Sequence, residues 1–306
     1  MDCHLAEYSP RMEMYNQVIK STTLRKELKI SDSEFLQLRD FIYQQTGIYI
    51  GDNRKYLLEN RLANRLKEHS LNSFSEYYYF LKYDPARRQE LNRLFAVITT
   101  NETSFFRNPP QIKVFQDNIL PELLAGKKRN ARKRLRLWSA GCSTGEEPYT
   151  LGIVLHEVLG RELAQWDIKI WAHDLSEDVL QSAQRGIYNE YTLRSTPRNI
   201  LEKYFQQLNP GNYKILPQVQ DLVSFRTLNL SDRFHLKQVE TADIIFCRNV
   251  IIYFDESMKK QVINGLYDNL FPGGYLFVGH SESLHNLSRA FKPCHFPGAI
   301  VYKKEG

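Results

Sequence analysis

Leu135-Arg136-Leu137-Trp138-Ser139-Ala140-Gly141-Cys142-Ser143-Thr144-Gly145-Glu146-Glu147-Pro148-Tyr149 is the stretch that decides how this chain is read. Leu135, Leu137 and Trp138 form a short apolar run of the kind that makes a buried parallel strand. Gly141 and Gly145 then let the backbone turn tightly and approach a ligand closely. Glu146, Glu147 and Pro148 favour a first helical turn, and Leu151, Ile153, Val154, Leu155 and Val158 continue the helix. Strand, glycine turn and helix is the geometry that cradles nucleotides. A plain structural turn in an α/β sheet gives the same pattern.

Working outward, Ile168, Ile170, Trp171 and Ala172 predict a second strand, ending at His173-Asp174. Asp174 follows Gly141 by 33 residues. A carboxylate at such a strand end accepts hydrogen bonds from both hydroxyls of a ribose. The competing reading is a cap for the helix Glu177–Arg185, a job for which Ser176 competes. Residues 186–227 interrupt the alternation with Pro197, Pro210, Gly211 and Pro217 and read as a small inserted subdomain. Tyr213, Ile215, Leu222, Val223 and Phe225 are expected in its short antiparallel strands, and Thr227-Leu228-Asn229-Leu230 closes it. Asp243–Cys247 predicts a buried strand that delivers Arg248-Asn249 and, one helical turn on, Tyr253. A helix over residues 257–271, a turn at Phe271-Pro272-Gly273-Gly274, a strand Tyr275–Val278 and a last antiparallel strand Ala299–Tyr302 complete an α/β pattern.

Upstream the chain is helical. Ser31 and Glu34 stand at capping-box spacing, Phe35, Leu38, Phe41 and Ile42 repeat at helical intervals, and Gly47 ends the helix. In a second helix, about Asn53 to His69, Arg54, Arg61 and Arg65 share a stripe beside Leu58, Leu62 and Leu66; Lys55 and Lys67 add charge. Ser73 opens a third helix whose aromatic run, Tyr77 to Leu81, reads as inter-helix packing rather than a base-stacking platform. Asp84-Pro85 precedes a fourth helix with Leu91, Leu94, Phe95 and Ile98. The domains expected are an extension, 1–30, a helical domain with its linker, 31–98, and an α/β domain, 99–306.

The polar and aromatic loop between them, Ile98 to Gln111, is unusual for a mere connection. Its Asn108-Pro109-Pro110-Gln111 segment differs from the Asn-Pro-Pro-aromatic motif of amino-group methyltransferases in having Gln111, and it precedes the glycine turn instead of following a later strand. Two prolines opening the helix Ile112–Leu124 is the better reading. Lys127–Arg136 is expected as a solvated basic loop.

Composition narrows the class. The chain has 306 residues, 42% of them hydrophobic, enough for a packed core. It has no apolar run of membrane-spanning length, and its N-terminus, MDCHLAEYSPRME, lacks a signal-peptide apolar region. Cys3, Cys142, Cys247 and Cys294 lie apart without metal-ligand spacing, as expected of reduced cytoplasmic thiols; no metal is expected. Residues 1–136 hold 24 Lys+Arg against 16 Asp+Glu, whereas the rest holds 17 against 19. The basic half is expected to meet an acidic partner, unless its charges only solvate the surface.

Taken in order, TTNETSFFR, SAGCSTGEEPY, the Asp174 strand end, LNL and CRNVIIYF resemble the blocks of the chemotaxis receptor glutamate methyltransferases, the CheR family, over nearly the whole chain from residue 31. The resemblance implies a class I S-adenosylmethionine-dependent methyltransferase fold, a Rossmann-like doubly wound sheet. It implies an all-α N-terminal domain and an inserted antiparallel β-subdomain. It implies S-adenosylmethionine as methyl donor, S-adenosylhomocysteine as product, and receptor glutamates as substrate. Matched residue by residue, Asn101, Thr103 and Arg107 correspond to the cofactor-side loop, and Ala140, Gly141 and Glu147 to the glycine turn and its acidic neighbour. Asp174 corresponds to the ribose-binding acid, Asn229 and Leu230 to the adenine side, and Arg248, Asn249 and Tyr253 to the block beside the methyl group. Phe105, Phe106 and Ile251 are walls. Arg54, Lys55, Arg61, Arg65 and Lys67 would face the acidic helical bundle of the methyl-accepting receptor.

The chemistry suits these residue types. A glutamate carboxyl with a pKa of about 4.3 is already ionised at neutral pH, so no general base is needed. Alignment and exclusion of water remain the enzyme's tasks, with Arg107 and Tyr253 expected at the reacting end. Some family members grip a receptor's C-terminal peptide with the β-subdomain; the hairpin around Asn209–Asn212 is short beside those, which predicts a tether-independent enzyme. A cytoplasmic monomer recruited to receptor clusters at the inner membrane, neither inserted in the bilayer nor bound to nucleic acid, is expected. Two other readings stay open: a methyltransferase acting on nucleic acid, and a non-catalytic S-adenosylmethionine sensor, against which Arg107 and Tyr253 argue.

Overall fold

The computed structural model describes residues 28–99, 102–129 and 133–305. The expected 1–30 extension lies almost entirely outside them, as does Asn101.

Helix α1, Asp32–Thr46, starts on a complete capping box: Glu34 N–H donates to the Ser31 hydroxyl, and Ser31 N–H donates back to the Glu34 carboxylate. It stops at Gly47, whose φ of 74° suits glycine and whose Cβ position would lie 2.7 Å from the Ser231 side chain. Helices α2 (Lys55–Glu68), α3 (Phe74–Tyr83) and α4 (Arg87–Ile98) follow. Phe35, Leu38, Ile42, Leu58, Leu62, Leu66, Tyr77, Leu81 and Leu94 are buried between these four helices. The aromatic run divides: Tyr77 is core, whereas Tyr79 and Tyr83 are exposed.

The bundle shares one apolar core with a face of the main sheet, through Trp138, Ile251 and Phe254. Polar bonds fix its seat. Tyr43 Oη donates to Asp255 (2.9 Å), Asn229 Nδ2 donates to the Gln45 carbonyl (2.8 Å), and Tyr49 N–H donates to the Tyr253 carbonyl (2.8 Å).

The prolines Pro109 and Pro110 open helix α5, Pro109–Val114, which runs through a π-helical turn, Phe115–Ile119, into α6, Leu120–Arg129. Pro121 supplies no N–H inside this run, and the widened turn precedes it. Gln111 is buried and its Nε2 donates to the Val278 carbonyl (2.7 Å), a structural task. The expected basic loop Lys127–Arg136 is divided. Lys127–Arg129 end α6, and Arg134–Arg136 open strand β1, Arg134–Ala140. Arg136 is buried because Asp167 (2.6 Å) and Glu240 (3.2 Å) neutralise it.

Then come α7 (Glu146–Leu159), β2 (Asp167–Asp174) and α8 (Glu177–Arg185). Next are β3 (Ile187–Asn189), α9 (Glu190–Leu193), α10 (Arg198–Tyr204), β4 (Phe205–Asn209), β5 (Asn212–Ile215), α11 (Pro217–Gln220) and β6 (Val223–Thr227). The chain ends with α12 (Arg233–Leu236), β7 (Ala242–Cys247), α13 (Glu256–Asp268), β8 (Leu270–Val278), β9 (Phe291–Phe296) and β10 (Ala299–Lys304). The main sheet has the order β6-β2-β1-β7-β8-β10-β9. Its first five strands are parallel, and β10 pairs antiparallel with both β8 and β9.

Strands β3, β5 and β4 form a separate antiparallel sheet, the inserted subdomain. It is smaller than expected. Val223–Thr227 is not part of it but is the parallel edge strand of the main sheet, paired with Ile170–Asp174. Edge exposure gave this strand the alternation of a hairpin. The expected turn Phe271–Gly274 lies inside β8, where the register against β7 shifts in a bulge. Gly274 is needed there, since a Cβ would meet the Asp243 carbonyl at 2.7 Å.

Candidate functional site

The chain order reverses between β1 and β7, and the carboxyl ends of parallel strands at such a point frame a crevice. Out of β1 comes the glycine turn. Gly141 (φ 82°), Ser143 (φ 48°) and Gly145 (φ 96°) all take left-handed backbone, and a Cβ on Gly141 would run into the Val250 side chain. The N–H groups of Gly141 and Cys142 donate to the His173 carbonyl (2.8 and 2.9 Å), which ties the turn to β2. The Asp174 carboxylate, at the end of β2, accepts from Ser143 N–H (2.8 Å) and Ser176 N–H (3.2 Å). Out of β7 comes Arg248, followed by Asn249 with φ 60°.

These loops enclose a cavity of about 420 Å³, within the range of small-molecule sites. Thr103, Arg107, Gly141, Glu147, Asp174, Asn229, Leu230, Arg248, Asn249 and Tyr253 all line it. Ala140 sits behind the wall, fully buried. Phe105 and Ile251 are buried, but neither they nor Phe106 line the cavity, so they pack behind it rather than form its walls. Asn229 has a role the sequence did not indicate. Its side-chain amide is used by Gln45 on one side and Ser231 on the other, and its carbonyl accepts from Asp232 N–H (3.0 Å). The helical domain adds Thr46, Ile48 and Arg54 to the lining. Spacing alone gave no sign of this, because it depends on how the bundle docks.

The charges are arranged asymmetrically. Glu147 accepts from the Ser139 hydroxyl (2.6 Å) and from Arg248 Nη1 (3.3 Å). Burial pushes its carboxyl up, against the pull of Arg248, Ser139 and Arg107. Burial likewise pushes Arg248 down, against Glu147. Arg248 Nη2 donates to the Arg107 carbonyl (2.6 Å), while Arg107 Nη1 donates to the Glu102 carbonyl (3.0 Å). Burial raises Asp174 too, against the backbone donors of Ser143, Ser176 and Leu175. Among the described residues, Arg248 Nε and Ser143 Oγ are buried without a hydrogen-bond partner. Buried polar groups are nearly always satisfied. A guanidinium beside a carboxylate at one end of the cavity, Arg248 with Glu147, offers one group of each sign to a zwitterionic ligand.

Residues 101–300 match the family described as "CheR methyltransferase, SAM binding domain", and residues 33–99 match "CheR methyltransferase, all-alpha domain". The chain belongs to the CheR methyltransferase family. It is 34% identical to "Chemotaxis protein methyltransferase 2" of Vibrio cholerae, with 91% of this chain and 95% of that one covered. It is 33% identical to "Chemotaxis protein methyltransferase 1" of Pseudomonas aeruginosa over 90% and 99%, and 34% identical to the "Chemotaxis protein methyltransferase" of Borreliella burgdorferi over 90% and 96%. It is a chemoreceptor methyltransferase with S-adenosylmethionine as cofactor. Among the described residues no helix is long and apolar enough to cross a membrane.

Measured against that activity, the basic stripe needs correction. Arg65 does not project outward. It is buried, with Nε 2.8 Å and Nη2 2.5 Å from Glu90 and a further bond to Glu68. Tyr77 Oη (2.6 Å) and His69 (2.7 Å) complete the shell of Glu90. Burial alone would raise the Glu90 carboxyl, but these bonds outweigh it and hold it below the usual range. Arg61 is half-buried and donates to the Ile98 carbonyl. Lys55 pairs with Asp32 (2.6 Å), and Lys67 is exposed. Arg54 stands at the cavity, near exposed Ile252.

Proposed function

We propose that this methyltransferase esterifies glutamate side chains on the cytoplasmic helical bundle of its receptor, with the residues of the cavity in the following roles. Asp174 holds the ribose hydroxyls. Leu230 and the backbone of Asn229 flank the adenine. Glu147 takes the ammonium of the cofactor's amino-acid end, and Arg248 its carboxylate. Ionised Glu147 then gains a second cation, which opposes the effect of its burial. S-adenosylmethionine supplies an activated methyl group on a sulfonium. Arg107 and Tyr253 hold the incoming glutamate carboxylate in line and dry. That carboxylate needs no base, and the neutral ester loses its attraction to Arg107, which favours release.

The observation that carries this reading is the joining of Arg107, Glu147, Arg248 and Tyr253 in one cavity at the switch point, open beside the cationic Arg54. The nucleic-acid alternative has less support. Arg39, Lys55, Arg65, Lys127, Lys128 and Arg136, all in the basic half, are already paired with carboxylates of the chain. The test is transfer of radiolabelled methyl to a receptor cytoplasmic fragment as a base-labile ester. Arg107→Ala and Tyr253→Phe should fold and lose it; wild-type turnover in either removes that residue from the reacting end.

We further infer that the enzyme works as a cytoplasmic monomer at receptor clusters, without a receptor tail. The two-residue hairpin Pro210-Gly211 between β4 and β5 supports this. A receptor fragment lacking its C-terminal tail should be methylated as fast as the intact one.

A further inference from the structure

One buried carboxylate outside the matched motif blocks joins the two loops at the reacting end. Glu282 follows β8 and is 9% exposed. Its Oε2 accepts from Asn249 N–H (2.7 Å) and from Gly279 N–H (2.6 Å), and its Oε1 accepts from Ile252 N–H (3.2 Å). Its own N–H donates to the Gly279 carbonyl (2.9 Å), which closes the turn it sits in. A Cβ on Gly279 would lie 2.6 Å from Oε2 and 2.9 Å from Asn249 N, so glycine there makes room for this contact.

We propose that Glu282 is a positioning residue for methyl transfer. It pins Asn249 in its left-handed conformation and fixes Ile252, so that the segment from Asn249 to Tyr253 is held against β8. The physical reasons are two. Hydrogen bonds from backbone N–H to a carboxylate are about twice as strong as neutral ones. Left-handed backbone is uncommon at non-glycine residues and cheapest at asparagine, so hydrogen bonds to its amide can decide it. Glu282 acts through Asn249 and Tyr253 and does not touch the reacting atoms. The adenosine end of the cavity, built from the glycine turn and Asp174, does not depend on it. The inference rests on Tyr253 lying at the reacting end.

The test pairs steady-state methylation of the receptor fragment by full-length Glu282→Ala and Glu282→Gln with calorimetry of S-adenosylhomocysteine. A small misplacement of a reacting group costs on the order of 100-fold, so kcat of Glu282→Ala at saturating substrates should fall about that far. Glu282→Gln keeps one acceptor oxygen and should lose less. Affinity for S-adenosylhomocysteine should stay within about threefold of wild type, the mark of an interaction made in the transition state alone. Unchanged kcat overturns the proposal, and so does a parallel loss of kcat and product affinity. Should Glu282→Ala not fold, Gly279→Ala, which pushes the carboxylate aside without removing it, and Glu282→Gln decide by the same split. Tyr253→Phe, measured alongside, separates the two readings. Full turnover there with slow Glu282→Gln removes Tyr253 from the reacting end and leaves Glu282 positioning the segment through Asn249.

Discussion

Two carboxylate–guanidinium pairs of the protein, Glu90–Arg65 and Glu147–Arg248, are built to opposite ends. In the helical domain Glu90 is closed: Arg65, Tyr77 and His69 occupy both its oxygens. In the cavity the Glu147–Arg248 pair is open. Its contact is longer, 3.3 Å, and Arg248 Nε has no partner among the described residues. The residue types are the same. A closed pair fixes how elements pack, whereas the open one leaves a donor that, with the roles proposed above, a ligand would complete.

Breaking the closed pair should have the largest effect. Arg65→Ala strands a buried carboxylate and should destabilise the fold by about 3–5 kcal/mol in denaturant unfolding. Arg248→Ala should cost less stability than Arg65→Ala, since burial already favours the neutral form of Glu147, and should lose affinity for S-adenosylhomocysteine. Equal destabilisation by both would erase the distinction.

Asp174→Ala sharpens the contrast from the ribose side. Loss of two charge-assisted hydrogen bonds should weaken S-adenosylhomocysteine by about 2–4 kcal/mol in calorimetry. An unchanged affinity would leave Asp174 as a brace for Ser143 and Ser176 only.

Glu146 is a further buried carboxyl, with the Thr144 hydroxyl as side-chain partner (2.7 Å), and burial pushes it up to about 7. The folded state therefore binds more protons than the unfolded chain. Its contribution is fully present below the ordinary carboxylate pKa and is lost as pH rises towards 7. Between pH 5 and pH 7 the loss should be about 2 kcal/mol. Glu146→Gln should flatten that slope in melting curves taken across the range.

The smallest effect belongs to the surface. Arg54→Glu should raise KM for the receptor fragment by about two- to fivefold at low salt, as exposed charge pairs do. No change in KM at low salt would remove the basic rim from receptor docking.

Much of the fold was legible because it is written locally. The capping box at Ser31 and Glu34, the strand–glycine–helix run from Leu135 and the buried strand before Arg248 each need only their neighbours. The site was legible through its motif blocks, and ten of the matched residues do meet in one cavity. What was not legible depends on partners distant in sequence. Nothing near Arg65 marks it as buried, because its partner Glu90 lies in another helix. Val223–Thr227 alternates like a hairpin strand because only one of its edges is paired, with β2. Pro272-Gly273-Gly274 reads as a turn because turns and wide bulges use the same residues. Glu282 carries no motif. Its role follows from three amides that converge only in the folded chain.

The glycine turn has its amides bonded to the His173 carbonyl before any ligand arrives. The floor of the cavity is thus rigid, and little entropy of ordering is lost when the cofactor lands. With the roles proposed above, that floor grips parts that methyl donor and spent product have in common. The two differ there by one methyl group and one charge at the far end. Spent product therefore competes nearly on equal terms for an enzyme that cannot tell them apart by its strongest contacts. If those roles hold, the rate of receptor modification would follow the ratio of donor to product, and adaptation would carry a reading of the cell's methylation capacity.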